Sequence, residues 1–133
     1  MTDSNNENLL AGRTLLFIGG GAMAEALIRG LTAKQVVRPE NILVIDKAGT
    51  ARLSYLKDRY GIRPVPEDKA EEAVGGADLA VLAVKPKDAA EAMRRYRSGF
   101  TDRQTIVSFV AGLSISSIRR LAGRDVPVAR AMP

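Results

Sequence analysis

Leu15-Leu16-Phe17-Ile18-Gly19-Gly20-Gly21-Ala22-Met23-Ala24 is an apolar run, a glycine turn and the opening of a helical pattern in ten residues. Gly19, Gly21 and Ala24 match G-x-G-x-x-A, and the position of the match carries more information than the match itself. A strand precedes it and a helix follows it, as a dinucleotide site requires. Gly19 permits the tight turn, Gly21 lets a pyrophosphate approach the backbone, and Ala24 lets the helix pack close to the strand. The free N–H groups at the helix start then face the phosphates.

The rest of the chain repeats the alternation. Apolar runs of strand length stand at Leu15–Ile18, Ile42–Ile45, Leu79–Val84 and Thr105–Val110. They are nearly continuous rather than alternating, which suits strands buried on both faces of a parallel sheet. Ile62–Val65 is expected as an edge strand because Pro64 and Pro66 exclude a central place, and Val126–Ala131 as the last strand. Helical patterns fill the gaps at Ala22–Lys34, Thr50–Tyr60, Asp68–Val74, Pro86–Tyr96 and Ser114–Ala122. Gly61 and Gly123 are placed as C-caps, Asp68 and Ser114 as N-caps, and Pro86 in a first turn. The expected fold is α/β, a doubly wound Rossmann-type parallel sheet with helices on both faces, in one domain over residues 14–133. Residues 1–13, polar and acidic, are expected to form a flexible tail.

Composition narrows the chemistry. The 133 residues contain no Cys and no His, which removes disulfides, thiolate or imidazole metal sites, a Cys nucleophile and any His general base. No metal site and no catalytic side chain is assigned. The net charge of +5 favours anionic ligands. Basic residues are dispersed, with small clusters at Arg94, Arg95, Arg97 and at Arg119, Arg120, Arg124. Three Tyr and three Phe are too few for a single-strand stacking platform, so no nucleic-acid partner is expected. No apolar run reaches membrane-helix length, and residues 1–12 do not read as a secretory signal. A cytoplasmic protein is expected.

Ligands of such sheets bind at the carboxyl ends of the strands, where strand order reverses. That rule selects Gly19–Ala24, Val84-Lys85-Pro86, Ala111-Gly112 and Met132-Pro133. Asp46 closes the second strand roughly 20 residues after Ala24, where an acid accepts hydrogen bonds from the adenosine ribose. Asp46 favours NAD, whereas Lys47 beside it can hold the 2′-phosphate of NADP or simply face solvent. Arg52 is a further cation with the same two readings. Lys85 can attract phosphate or a substrate carboxylate.

Three stretches together resemble the N-terminal half of pyrroline-5-carboxylate reductase, from about Thr14 to Pro133. They are Phe17 to Ile28, then Ala77-Asp78 with Leu82-Ala83-Val84-Lys85-Pro86, and finally Ser108 to Gly112 with Val128-Ala129-Arg130-Ala131-Met132-Pro133. The resemblance implies hydride transfer from NADPH or NADH to the imine carbon of 1-pyrroline-5-carboxylate, giving L-proline, the last step of proline biosynthesis. It implies that Gly19, Gly20, Gly21, Ala22, Met23 and Ala24 hold the pyrophosphate. Ala83, Val84, Lys85 and Pro86 would line the cofactor, Ala111 and Gly112 would lie near the nicotinamide, and Met132 and Pro133 at the substrate edge. Two positions depart from the family. Ala22 replaces a residue that is commonly Asn, and Asp68 stands where Asn often lies near the adenosine, an exchange expected to weaken NADPH binding. The family's second, helical domain, which forms its homo-oligomer and much of the substrate pocket, has no counterpart in the sequence. Weak or absent turnover is therefore expected. The alternatives are a non-catalytic dinucleotide-binding or regulatory module, or a reductase like the beta-hydroxyacid dehydrogenases.

Overall fold

The computed structural model describes residues 10–47 and 49–131. Six parallel strands form one sheet: β1 (Leu15–Ile18), β2 (Ile42–Ile45), β3 (Arg63–Pro64), β4 (Leu79–Leu82), β5 (Thr105–Ser108) and β6 (Val128–Arg130). Their order is β3-β2-β1-β4-β5-β6. The chain builds outward from β1, returns past it to β4, then builds outward on the other side. Phe17 pairs with Val44 on one side and Val81 on the other.

Alternation of side chains across the sheet divides the core in two. Leu16, Ile18, Ala80, Leu82 and Ile106 point to one face, and Leu15, Phe17, Ile42, Val44 and Val81 to the other. Both faces are covered, so neither set can be polar, and the runs read as continuously apolar. On the first face sit α3 (Ala70–Gly76), α4 (Pro86–Arg95) and α5 (Ile115–Ala122), packing Val74, Met93 and Ile118. On the second sit α1 (Ala22–Ala33) and α2 (Thr50–Tyr60), packing Ala24, Ile28, Leu53 and Leu56.

Helix ends follow local chemistry. Gly61 and Gly123 close α2 and α5 in the left-handed conformation, at φ 80° and 73°. The Ser114 hydroxyl accepts from the Ser117 amide and caps α5. Pro86 occupies the first turn of α4 after Lys85.

Several boundaries differ from expectation. β3, β4, β5 and β6 are shorter, because pairing stops where the chain turns off the sheet. Single bonds extend the ladder beyond them, from the Ala83 amide to the Ile18 carbonyl and from the Phe109 amide to the Leu82 carbonyl. Asp68, expected as an N-cap, caps no helix. Pro66 leads into a 3₁₀ turn over Glu67–Lys69, and α3 begins only at Ala70 without a side-chain cap. Of the expected tail, residues 1–9 lie outside the described residues. Leu10, whose carbonyl accepts from the Arg13 amide, packs against the second core face, so ordered packing reaches back at least to Leu10 rather than starting at Thr14.

Candidate functional site

The reversal of strand order leaves a crevice beyond the carboxyl ends of β1, β2 and β4. A cavity of about 900 Å³ occupies it. Its floor is the glycine turn. Gly19 has φ 107°, and a Cβ there would lie 2.8 Å from Val84 Cγ1 and 2.9 Å from the Ala83 carbonyl oxygen. The turn can press this closely on β4 only because position 19 has no side chain. Gly20 is walled in by Asp46, Leu56 and Val44, whereas a Cβ on Gly21 would meet nothing within 4 Å. Gly21 is the N-cap of α1 and no side chain caps that helix, so its first amides have no intrahelical partner. An open space over an uncapped helix start suits a phosphate group.

Gly19, Gly20, Gly21, Ala22, Met23, Asp46, Lys47, Ala83, Val84, Lys85, Pro86 and Ala111 all line the cavity. Ala24 does not. It is fully buried, and its small side chain lets α1 lie close on the sheet. Gly112 turns the chain beside Ala111 with φ 78° and does not line the cavity. Asp68 is also outside the lining, in the 3₁₀ turn before α3. Met132 and Pro133 lie outside the described residues. Ser108, at the end of β5, is buried and accepts from the Val110 amide.

Asp46 and Lys47 are already engaged. Asp46 Oδ2 accepts the Gly20 amide at 3.0 Å and so ties the end of β2 to the glycine turn. Lys47 Nζ lies 3.6 Å from both Asp88 and Glu91 of α4, and it is half exposed. Such long, wet ion pairs contribute about 0–1 kcal/mol and exchange easily for a ligand phosphate. Lys85 and Lys87 line the cavity with no ion pair among the described residues.

Sequence reasoning missed the α4 wall: Asp88, Glu91, Ala92 and Arg95. Their i, i+3, i+4, i+7 spacing marks one helical stripe, and it adjoins the buried Ala89 and Met93. Tyr96 and Phe109 complete that side. Arg95 Nε donates to Glu67 at 2.8 Å. Burial, with the Glu67 charge second, pushes the Tyr96 hydroxyl up to about 12. Tyr96 therefore stays neutral across the physiological range and offers no proton readily.

Behind the glycine turn, Glu25 of α1 meets α2. Its carboxylate accepts from Tyr60 at 2.5 Å, Tyr55 at 2.9 Å and Arg52 at 2.8 Å. These contacts hold Glu25 at about 2, against the ordinary 4.5. The Tyr60 hydroxyl is the largest cause and burial works against it. A depressed carboxylate stabilises the fold above its unfolded value and loses that contribution as pH falls toward the folded value. The wild type is therefore expected to exceed E25Q in thermal midpoint by a constant margin from about pH 8 to 5, with the margin closing from about 4.5 to 2. A margin unchanged at about pH 3 in thermal melts contradicts this account of the network.

A family model described as "NADP oxidoreductase coenzyme F420-dependent" matches residues 14–112. The chain belongs to this family. Among its relatives, pyrroline-5-carboxylate reductase 2 of Bacillus subtilis is 40% identical over 117 residues, 88% of this chain and 41% of that protein. Pyrroline-5-carboxylate reductase 1 of the same organism is 34% identical over 121 residues, 91% of this chain and 40% of that protein. The chain thus spans about two-fifths of the relatives it matches. A solved pyrroline-5-carboxylate reductase from Coxiella burnetii superposes with a TM-score of 0.79 at 27% identity, over 91% of this chain and 44% of that one. The Plasmodium falciparum pyrroline carboxylate reductase with NADP bound gives 0.74 at 21% identity, over 91% and 42%. Among the described residues, no helix is long and apolar enough to cross a membrane.

Proposed function

We propose that this chain is the NAD(P)H-binding part of a cytoplasmic, homo-oligomeric reductase that converts 1-pyrroline-5-carboxylate to L-proline. The observation that carries the reading is the open space over Gly21 at the uncapped start of α1, beside the Ala83–Pro86 turn. An elongated diphosphate fits there, its charge facing backbone amides rather than a side chain. This also answers the departure at position 22, because amides do not need the Asn side chain. The relatives named above carry the substrate assignment.

When bound, the nicotinamide supplies the hydride that reduces the imine carbon. This chain's residues bind and orient. Gly19–Met23 hold the pyrophosphate, and Asp46 and Lys47 meet the adenosine ribose. Lys85 adds positive charge beside the path, and Ala111 leaves room for a flat ring. No side chain is assigned to proton transfer.

Titration with NADPH and with NADH, followed by nicotinamide fluorescence, tests the reading. Saturable binding is expected. Tighter NADPH assigns Lys47 to the 2′-phosphate, and tighter NADH assigns Asp46 to the ribose hydroxyls. No saturation by either at about millimolar concentration, the range of a very weak site, overturns the reading. The substrate assignment fails if the loaded chain reduces another imine or keto acid but never 1-pyrroline-5-carboxylate.

A further inference from the structure

Arg52 sits on α2, outside the cavity, yet it reaches the turn that floors it. Nε donates to the Gly20 carbonyl at 2.5 Å, while Nη2 donates to Glu25. It is neither a free cation for phosphate nor a solvent-facing residue. Its own position is fixed from several sides. Glu25 is held by two tyrosine hydroxyls, and the guanidinium lies 5.1 Å from the Tyr55 ring centre. Gly20 is consequently gripped at both polar atoms, its N–H by Asp46 and its C=O by Arg52.

The peptide joining Gly20 to Gly21 is trans. In a planar trans peptide the carbonyl oxygen and the amide hydrogen point in opposite directions. Holding the Gly20 oxygen on the α2 side therefore turns the Gly21 N–H away from α2, toward the open side of the loop. The same guanidinium offsets the Glu25 carboxylate, a negative charge one helical turn from the phosphate position.

We propose that Arg52 is a positioning residue for the dinucleotide pyrophosphate, acting through the Gly20 carbonyl and held in place by Glu25, Tyr55 and Tyr60. The proposal rests on the dinucleotide reading above. It places part of the cofactor affinity in three side chains of α2 and one of α1, none of which touches the ligand.

The test compares ADP-ribose, which carries the pyrophosphate, with 2′-AMP, which carries the adenosine end without it. Both are measured by displacement of NADPH fluorescence. R52A is expected to weaken ADP-ribose about 10- to 30-fold, the scale of one charge-assisted hydrogen bond, and to leave 2′-AMP within about twofold. R52K keeps the charge but not the two-point grip, and it is expected to recover less than half of the loss on a logarithmic scale. The double variant Y55F/Y60F keeps Arg52 and its bond to Glu25 but removes the two hydroxyls that fix that carboxylate, and about a threefold or larger loss for ADP-ribose alone is expected. That variant carries the test if R52A does not fold. Equal losses for both ligands, or full recovery in R52K, overturn the positioning role. ADP-ribose affinity unchanged in R52A and Y55F/Y60F also overturns it, while leaving the dinucleotide reading intact. Failure of the wild type to bind NADPH, NADH or ADP-ribose overturns both.

Discussion

Alanine at position 19 is expected to destabilise the domain by about 3–5 kcal/mol, an exceptional loss for one methyl group. Two costs add. The backbone at φ 107° lies where side chains are rarely tolerated. The new Cβ also falls 2.8 Å from Val84 Cγ1 and 2.9 Å from the Ala83 carbonyl oxygen. Backbone cannot swing aside as a flexible side chain does, so the end of β4 must move. At roughly 4 °C per kcal/mol for a domain of this size, the thermal midpoint falls by about 12–20 °C. Domains hold only about 5–15 kcal/mol in all. Circular-dichroism melts of the variant measure this directly. A shift below about 4 °C means that the turn and β4 are not braced against each other as described.

The opposite pattern is expected two residues later. Gly21 has φ −81° and ψ −158°, which any residue adopts, and its Cβ position is empty space. G21D should therefore fold normally. Aspartate is also a preferred N-cap and α1 has none, so the melting temperature is expected to stay level or rise by about 1–3 °C. Binding should collapse. A carboxylate about 4 Å from a diphosphate costs roughly 2–4 kcal/mol at an effective dielectric near 20, or about 30- to 1000-fold in the dissociation constant for NADPH. Melting and fluorescence titration of one preparation test both halves. A stable G21D that binds within about threefold of the wild type removes the pyrophosphate from this loop.

Two glycines of one motif thus differ in what they protect, and the sequence pattern alone does not distinguish them. It does show where the turn is, because Leu15–Ile18 is apolar on both faces and Met23–Ile28 is helical. Pro64 on an edge strand, Gly61 and Gly123 as caps, and Pro86 at a helix start were readable for the same reason. Each is a short-range rule obeyed by residues within a few positions. Asp68 shows the limit of such rules. Its type suits a cap, but Pro66 and the 3₁₀ turn shift the helix start beyond its reach.

The unread parts depend on packing between distant segments. Asp88, Glu91, Ala92 and Arg95 carry a helical spacing, but their side of α4 faces the crevice only because Ala89 and Met93 are drawn into the core. Glu25 meets Arg52, Tyr55 and Tyr60 only after α1 and α2 dock. Gln104 belongs to the same class. Its buried amide donates to the Val74 and Ala77 carbonyls and accepts from the Thr101 amide, closing the end of α3 from a loop about 30 residues away. Nothing in its neighbourhood announces that task.

The pairing of Phe17 with Val81 bears on how the molecule acquires its cleft. Strands β1 and β2 can come together earlier, since a loop of roughly 20 residues joins them, but β4 must close a loop of roughly 60 residues to reach β1. Before that closure the glycine turn exists without its opposite wall, and the ligand has no slot to enter. In a stopped-flow refolding experiment, recovery of NADPH fluorescence should therefore trail the return of helical signal, and it times the moment when the two halves of the sheet join.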